Sequence, residues 1–85
     1  MKNEMFIELA YRFVKTYCDD KIKIDYHDKD IEIVNIMQVN HNNYAKVEVK
    51  DTNKRIHYFE LCYNQDTRQI TLDYFIKVDT YVFAK

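Results

Sequence analysis

The stretch EMFIELAYRFVKTY, residues 4 to 17, decides the fold because it carries the strongest helical pattern of the chain. Its apolar residues recur at the three- and four-residue spacing of one helix face: Phe6, Leu9, Ala10, Phe13, Val14 and Tyr17. Asn3 is a suitable N-cap, and Asp19-Asp20 is a suitable terminator in a chain without glycine. The stretch therefore predicts an amphipathic helix that buries one apolar stripe.

Beyond the helix the apolar period changes to two, which is typical of β-strands. Residues 21 to 26 predict a short edge strand that Asp28-Lys29-Asp30 breaks. Residues 31 to 39 predict a central strand whose alternation slips near Val34 to Ile36, consistent with a bulge or with burial on both faces. The remaining pattern predicts three more strands, separated by polar turns: residues 44 to 50, 55 to 63 and 68 to 78.

These elements predict one α+β domain over residues 1 to 85, with an N-terminal helix packed on a four- to five-stranded antiparallel meander sheet. This order resembles the cystatin-like layout, in which one helix lies across a curved antiparallel sheet. The resemblance covers nearly the whole chain, as topology. The glycine and the QxVxG-type loop of the protease-inhibiting cystatins are missing, so the resemblance implies a layout without cystatin activity.

The composition excludes several kinds of reaction centre. The chain has no glycine, which a Walker A loop and a dinucleotide fingerprint both need, and it has no serine nucleophile. Cys62 lies five residues from His57 on a predicted strand, so the two side chains point to opposite faces. We therefore predict a protein that is not an enzyme and that holds no cofactor.

The three histidines do not form a recognisable metal site. His27 lies among acidic residues without the spacing of a known site, and Lys29 places a positive charge beside them. His41 lies in an asparagine-rich turn, where we expect it to be solvated. His57 lies beside Phe59 on a strand, where we expect it to be packed or hydrogen-bonded locally.

Charge and cysteine content favour a cytoplasmic protein without a membrane segment. The formal net charge is −1, which supplies no broad field for attracting nucleic acid. Cys18 and Cys62 form no CxxC pair and are too few for a disulfide framework, so we expect both thiols to be reduced. At the predicted helix end, beside Asp19-Asp20, Cys18 should have a raised pKa.

The chain has more aromatic residues than one small core needs, with eight tyrosines and five phenylalanines. Strand alternation places four apolar residues on the face away from the helix, which we predict to bind a partner: Tyr44, Ile56, Tyr58 and Phe75. Asn42 and Asn43 are predicted to form its polar rim. Alternatively, the tail from Tyr81 to Phe83, which we expect to be held in place, packs over this face.

These observations favour a small protein-binding module that inhibits a larger protein by covering it. About half of the residues have AT-rich codons, which indicates an AT-rich host and a phage or mobile-element origin. An anti-CRISPR-like or other anti-defence inhibitor, acting on a host defence nuclease complex, would fit. The alternatives are a homodimer that buries its sheet face and a small-ligand-binding domain. Nucleic-acid binding is disfavoured because Glu48, Asp51 and Glu60 interrupt the basic residues.

Overall fold

A computed structural model describes residues 1–77 and 81–84, and in that part of the chain one helix precedes four strands. The elements are α1 (Asn3–Asp20), β1 (Tyr26–Val39), β2 (Asn42–Asp51), β3 (Ile56–Asn64) and β4 (Gln69–Ile76). The strands lie in the order β1-β2-β3-β4, and every neighbouring pair is antiparallel. The predicted α+β layout, a helix on an antiparallel meander, is confirmed.

Four fully buried side chains, each four residues after the last, pack α1 on the sheet: Phe6, Ala10, Val14 and Cys18. This α1 stripe is narrower than the predicted one, because Phe13 is 37% exposed. The helix packs against β1, β2 and β3, whereas Phe13 points toward a groove beside β4. The sheet face under α1 is called the inner face below, and the opposite face the outer face.

The start and the end of α1 are not formed by the residues that the sequence predicts. Lys2 is the N-cap and makes no side-chain capping bond, whereas Oδ1 of Asn3 accepts a hydrogen bond from Asn43 Nδ2 at 3.2 Å. The Asn3 side chain is therefore committed to β2 instead of the helix terminus. The helix also continues through Asp19-Asp20, and the left-handed residue after it is Lys23, with φ of 50°.

The bounds and the position of β1 differ most from what the sequence predicts. Of the predicted strand 21 to 26 only Tyr26 belongs to a strand, and β1 then continues through Asp28-Lys29-Asp30. The prediction that residues 31 to 39 form a central strand is wrong, because the meander places its first strand at an edge. An edge strand tolerates charged side chains, so Asp28-Lys29-Asp30 does not end β1. The predicted bulge is confirmed by a register shift between Ile33 and Asn35.

The inner face carries the hydrophobic core. Its buried apolar side chains come mainly from β2 and β3 and alternate as predicted: Ile31, Ala45, Val47, Val49, Phe59 and Leu61. On β4, Ile70, Leu72 and Tyr74 pack partly against this core. The strand ends at Ile76, and Val78 of the predicted strand lies outside the described residues.

The hairpin turns are made without glycine. Asn40 and His41 have φ of 50° and 69°, and they join Val39 to its strand partner Asn42 as a two-residue loop. Two consecutive positive φ values are the requirement of a type I′ turn, which gives the twist that a hairpin needs. Asparagine and histidine adopt this conformation more readily than most residues other than glycine.

We expect the phenylalanines of β3 and β4 to contribute very differently to stability. Phe59 is 1% exposed on the inner face, and Phe75 is 48% exposed on the outer face. Phe59→Ala should lower the free energy of unfolding by about 3–5 kcal/mol, because it leaves a cavity in the core. Phe75→Ala should lower it by about 1 kcal/mol or less. Urea denaturation measures both losses, and equal losses would contradict the assignment of the faces.

Candidate functional site

The outer face carries four of the six residues predicted to bind a partner. Tyr58 on β3 lies directly opposite Phe75 on β4, and Tyr44 and Ile56 lie on the same face. Phe75 is 48% exposed, and Tyr44 and Ile56 are each 37% exposed. The alternation of strand side chains brings these residues to one surface. Their role in binding stays a prediction.

The two predicted rim residues, Asn42 and Asn43, lie on different faces. Asn43 is fully buried, and its Nδ2 donates hydrogen bonds to the Met1 carbonyl at 2.9 Å and to Asn3 Oδ1 at 3.2 Å. Its assignment to the rim is wrong, because β2 begins at Asn42 and the alternation turns Asn43 inward. Asn42 is half-buried, and its Oδ1 accepts a hydrogen bond from the backbone N–H of Gln65 at 2.9 Å.

The contribution of β1 to the outer face was not predicted from the sequence. Val34 and Met37 are each 45% exposed, and Met37 lies directly opposite Tyr44. The bulge between Ile33 and Asn35 brings Val34 to the same groove as Tyr58 and Phe75. The slip in alternation near Val34 was the available signal. Its consequence for the face depended on β1 being paired to β2, which the sequence alone did not show.

A groove of about 540 Å³ lies on the outer face and is called the aromatic groove. Its apolar wall includes the outer-face residues Val34, Tyr58 and Phe75. Four charged side chains surround this wall: Lys46, Glu48, Glu60 and Lys77. A smaller pocket of about 160 Å³ lies beside Met37 and Tyr44. The face therefore presents two apolar depressions among charges of both signs.

Residues 81 to 84 do not cover this face. Tyr81, Val82 and Phe83 are 74%, 82% and 84% exposed, so the prediction that they are held in place is wrong. The rings of Tyr81 and Phe83 contact each other, with centroids 4.6 Å apart. Because residues 81 to 84 are exposed, they leave the outer face uncovered.

Asp51, His57 and Tyr74 form a buried chain of hydrogen bonds on the inner face. Nε2 of His57 lies 2.8 Å from Oδ2 of Asp51, and Nδ1 lies 2.6 Å from the Tyr74 hydroxyl oxygen. His57 is 3% exposed. The prediction that His57 is hydrogen-bonded locally is confirmed for Asp51. No sequence signal indicated Tyr74, which lies 17 residues from His57 and is brought to it by the pairing of β3 with β4.

The hydrogen-bonding capacity of each side chain determines where the protons of this network lie. An ionised Asp51 only accepts hydrogen bonds, so Nε2 of His57 donates to it; in a neutral imidazole Nδ1 then accepts from the Tyr74 hydroxyl. Hydrogen bonds from His57 first, and then from the Arg55 and Asn53 backbone N–H groups, lower the pKa of Asp51 in spite of its burial. Burial raises the pKa of Tyr74, which keeps it a neutral donor. Every member is satisfied internally, so the network holds the β2–β3 turn to β4.

The cysteines do not form an activated nucleophile with His57. Cys18 is buried on the side of α1 that faces the sheet. Burial, together with the nearby Asp19 carboxylate, raises the pKa of its thiol to about 11. This confirms the predicted direction, with burial as the main cause. Cys62 lies opposite Thr71 on the outer face, whereas His57 lies on the inner face. The predicted separation of Cys62 from His57 is therefore confirmed.

Two further observations concern metal binding and membranes. Among residues 1–77 and 81–84, no three histidine, cysteine or acidic side chains are grouped so that they could hold a metal ion. His27 and His41 are exposed. The helix in this part of the chain is too polar to cross a bilayer.

No protein-family model matches this chain, and no curated protein or solved structure is significantly similar to it. The cystatin-like layout thus describes the order of the helix and strands, and no relative supplies a function. The outer face and its aromatic groove are therefore the basis for a functional proposal.

Asp51→Asn should lower the free energy of unfolding by about 1.5–3 kcal/mol at neutral pH, because His57 loses a charged acceptor. Folding lowers the pKa of Asp51 below its ordinary value of 3.8. The stabilisation by the carboxylate is therefore complete above that value and is lost as the pH falls through the folded-state pKa. Urea denaturation at several pH values should show wild type and variant converging below about pH 4.

The exposed Asp66 offers a matched control, since it makes no side-chain hydrogen bond within the described residues. Asp66→Asn should stay within about 0.5 kcal/mol of the wild type across the same pH range. A gap between wild type and Asp51→Asn that stays constant through the acid range would contradict the assigned network.

Proposed function

We propose that this chain is a protein-binding module whose contact surface is the outer face of the sheet. The observation that supports the proposal is the open aromatic groove, with Tyr58 and Phe75 paired directly across β3 and β4. An antiparallel sheet that faces water on one side normally alternates apolar-in and polar-out. Here the solvent side retains apolar residues from β1 through β4.

Five exposed apolar residues lie on the outer face, and four of them line the aromatic groove or the smaller pocket, whereas exposed apolar residues of an ordinary surface are scattered singly. Each is between 37% and 48% exposed: Val34, Met37, Tyr44, Ile56 and Phe75. Grouped apolar surface with a polar surround is typical of binding sites between proteins, and aromatic residues are enriched at their centres. We therefore place the centre of the contact at Tyr58 and Phe75, with Tyr44 and Ile56 around it.

The charges of the outer face indicate the chemistry of the partner. Glu32 lies directly opposite Glu48, and Glu60 lies directly opposite Asp73. Like charges directly opposite each other destabilise a sheet. Within the described residues, no lysine or arginine forms an ion pair with any of these four carboxylates, although Lys46 lies opposite Glu60. A partner surface would match this face with an apolar ridge flanked by basic residues beside Glu48 and Glu60 and by acidic residues beside Lys46 and Lys77.

We extend the proposal to an inhibitor that acts by occlusion, because a small rigid face can cover part of a larger protein without any chemistry of its own. The AT-rich composition supports a phage or mobile-element source and a defence complex of the host as the partner, in the manner of an anti-CRISPR protein. The free thiols of Cys18 and Cys62 support a reducing, cytoplasmic setting.

Affinity capture from lysate of a low-GC Gram-positive bacterium, read by mass spectrometry, tests the proposal. We expect one stoichiometric partner, and we expect Tyr58→Ala and Phe75→Ala each to weaken its binding at least about tenfold. The matched control is Tyr11→Ala, which removes a tyrosine that is 38% exposed on α1, close to the 37% of Tyr44. Equal loss in all three variants, or no captured partner, would overturn the proposal.

A further inference from the structure

The two edges of the sheet are built differently. β1 carries Asp28, Lys29, Asp30 and Glu32 and two register shifts, and such charges and bulges hinder pairing with another strand. The other edge strand, β4, has the sequence QITLDYFI, with Asp73 as its only charged residue. It pairs with β3 without a register shift. The β4 edge therefore lacks the devices that protect the β1 edge.

A second apolar groove, of about 480 Å³, lies beside the β4 edge and is called the edge groove. Its apolar wall is formed by α1 and the inner side of β4: Phe13, Tyr17, Ile70 and Leu72. Ile70 and Leu72 are only half-buried although they belong to the core face, and Phe13 is 37% exposed. The helix thus leaves the apolar core residues beside β4 partly exposed, at the sheet edge that lacks the charges and bulges of β1.

The sequence of β4 is complementary to itself in antiparallel pairing. A two-fold axis at Leu72, close to the middle of the strand, would place Leu72 against Leu72 of a second copy and Ile70 against Tyr74. On the outer side, Thr71 would face Asp73. Inner side chains then meet inner ones, as the pleat requires. Shifting the axis to Asp73 would instead oppose two carboxylates.

We propose that two copies of the chain associate through antiparallel pairing of their β4 strands, which joins two four-stranded sheets into one continuous sheet. The axis at Leu72 is perpendicular to the sheet, so both helices lie on one side and both outer faces on the other. The two edge grooves meet across the axis and cover Phe13 and Leu72. The dimer leaves the aromatic groove of each copy open, so it is independent of the proposed function.

Charge changes at Thr71 test this arrangement without disturbing the monomer, because Thr71 is exposed on the outer side of the edge strand. Thr71→Asp would face Asp73 twice in the dimer, whereas Thr71→Lys would form two opposite-charge pairs. Analytical ultracentrifugation should show a wild-type dimer. Its dissociation constant should rise in Thr71→Asp and fall in Thr71→Lys, each by roughly twofold to thirtyfold.

Disulfide trapping tests the register. Thr71→Cys and Asp73→Cys are made separately with different tags, each together with Cys62→Ser so that no other outer-face thiol can react. Under mild oxidation the mixture of the two variants should give a crosslinked pair, and neither variant alone should give one in comparable yield. Buried Cys18 serves as an internal control that should not react.

A chain that stays monomeric up to its solubility limit would overturn the proposal. So would a dimer that ignores both Thr71 charges and is abolished by Tyr58→Lys, since that result would place the outer faces in contact. Capture of a foreign protein by the outer face tests the proposed function separately, and Thr71→Asp should leave that capture unchanged when binding is measured per protomer.

Discussion

The contact between the α1 stripe and one face of the sheet is the constraint on which the rest of this structure depends. A helix with its side chains is about 10 Å wide, and strands lie about 4.8 Å apart, so one helix cannot cover four strands. The α1 stripe, which consists of Phe6, Ala10, Val14 and Cys18, packs against β1, β2 and β3. The margin along β4 is left open, and so is the whole outer face. Both candidate surfaces, the outer face and the β4 edge, are parts of the sheet that the single helix does not cover.

Polar contacts fix the helix and the sheet at places where apolar packing ends. Near the start of α1, buried Asn43 donates hydrogen bonds to Met1 and Asn3. At the other end of β2, Asp51 and His57 connect the β2–β3 turn to Tyr74 on β4. Buried polar groups stabilise a unique arrangement only when they have hydrogen-bond partners. These contacts supply such partners to Asn43 and His57. The sheet that carries the outer face is held at both ends.

The two proposed surfaces have different physical character. The aromatic groove combines rings with charges of both signs on paired strands. The β4 edge offers backbone hydrogen bonds and an apolar margin, and it suits a second strand of the same kind. Because one surface is a face and the other is an edge, occupation of one does not block the other.

The sequence by itself determined the helix, the faces of β2 and β3, and the exposure of Tyr44, Ile56 and Phe75, because helical and strand periodicities are local properties. Tertiary structure decided that β1 is an edge strand, that Asn43 points inward, and that Tyr74 reaches His57. It also left Tyr81, Val82 and Phe83 largely exposed. These outcomes depend on which strands pair and in which register, and that choice is made by contacts between residues far apart in the chain.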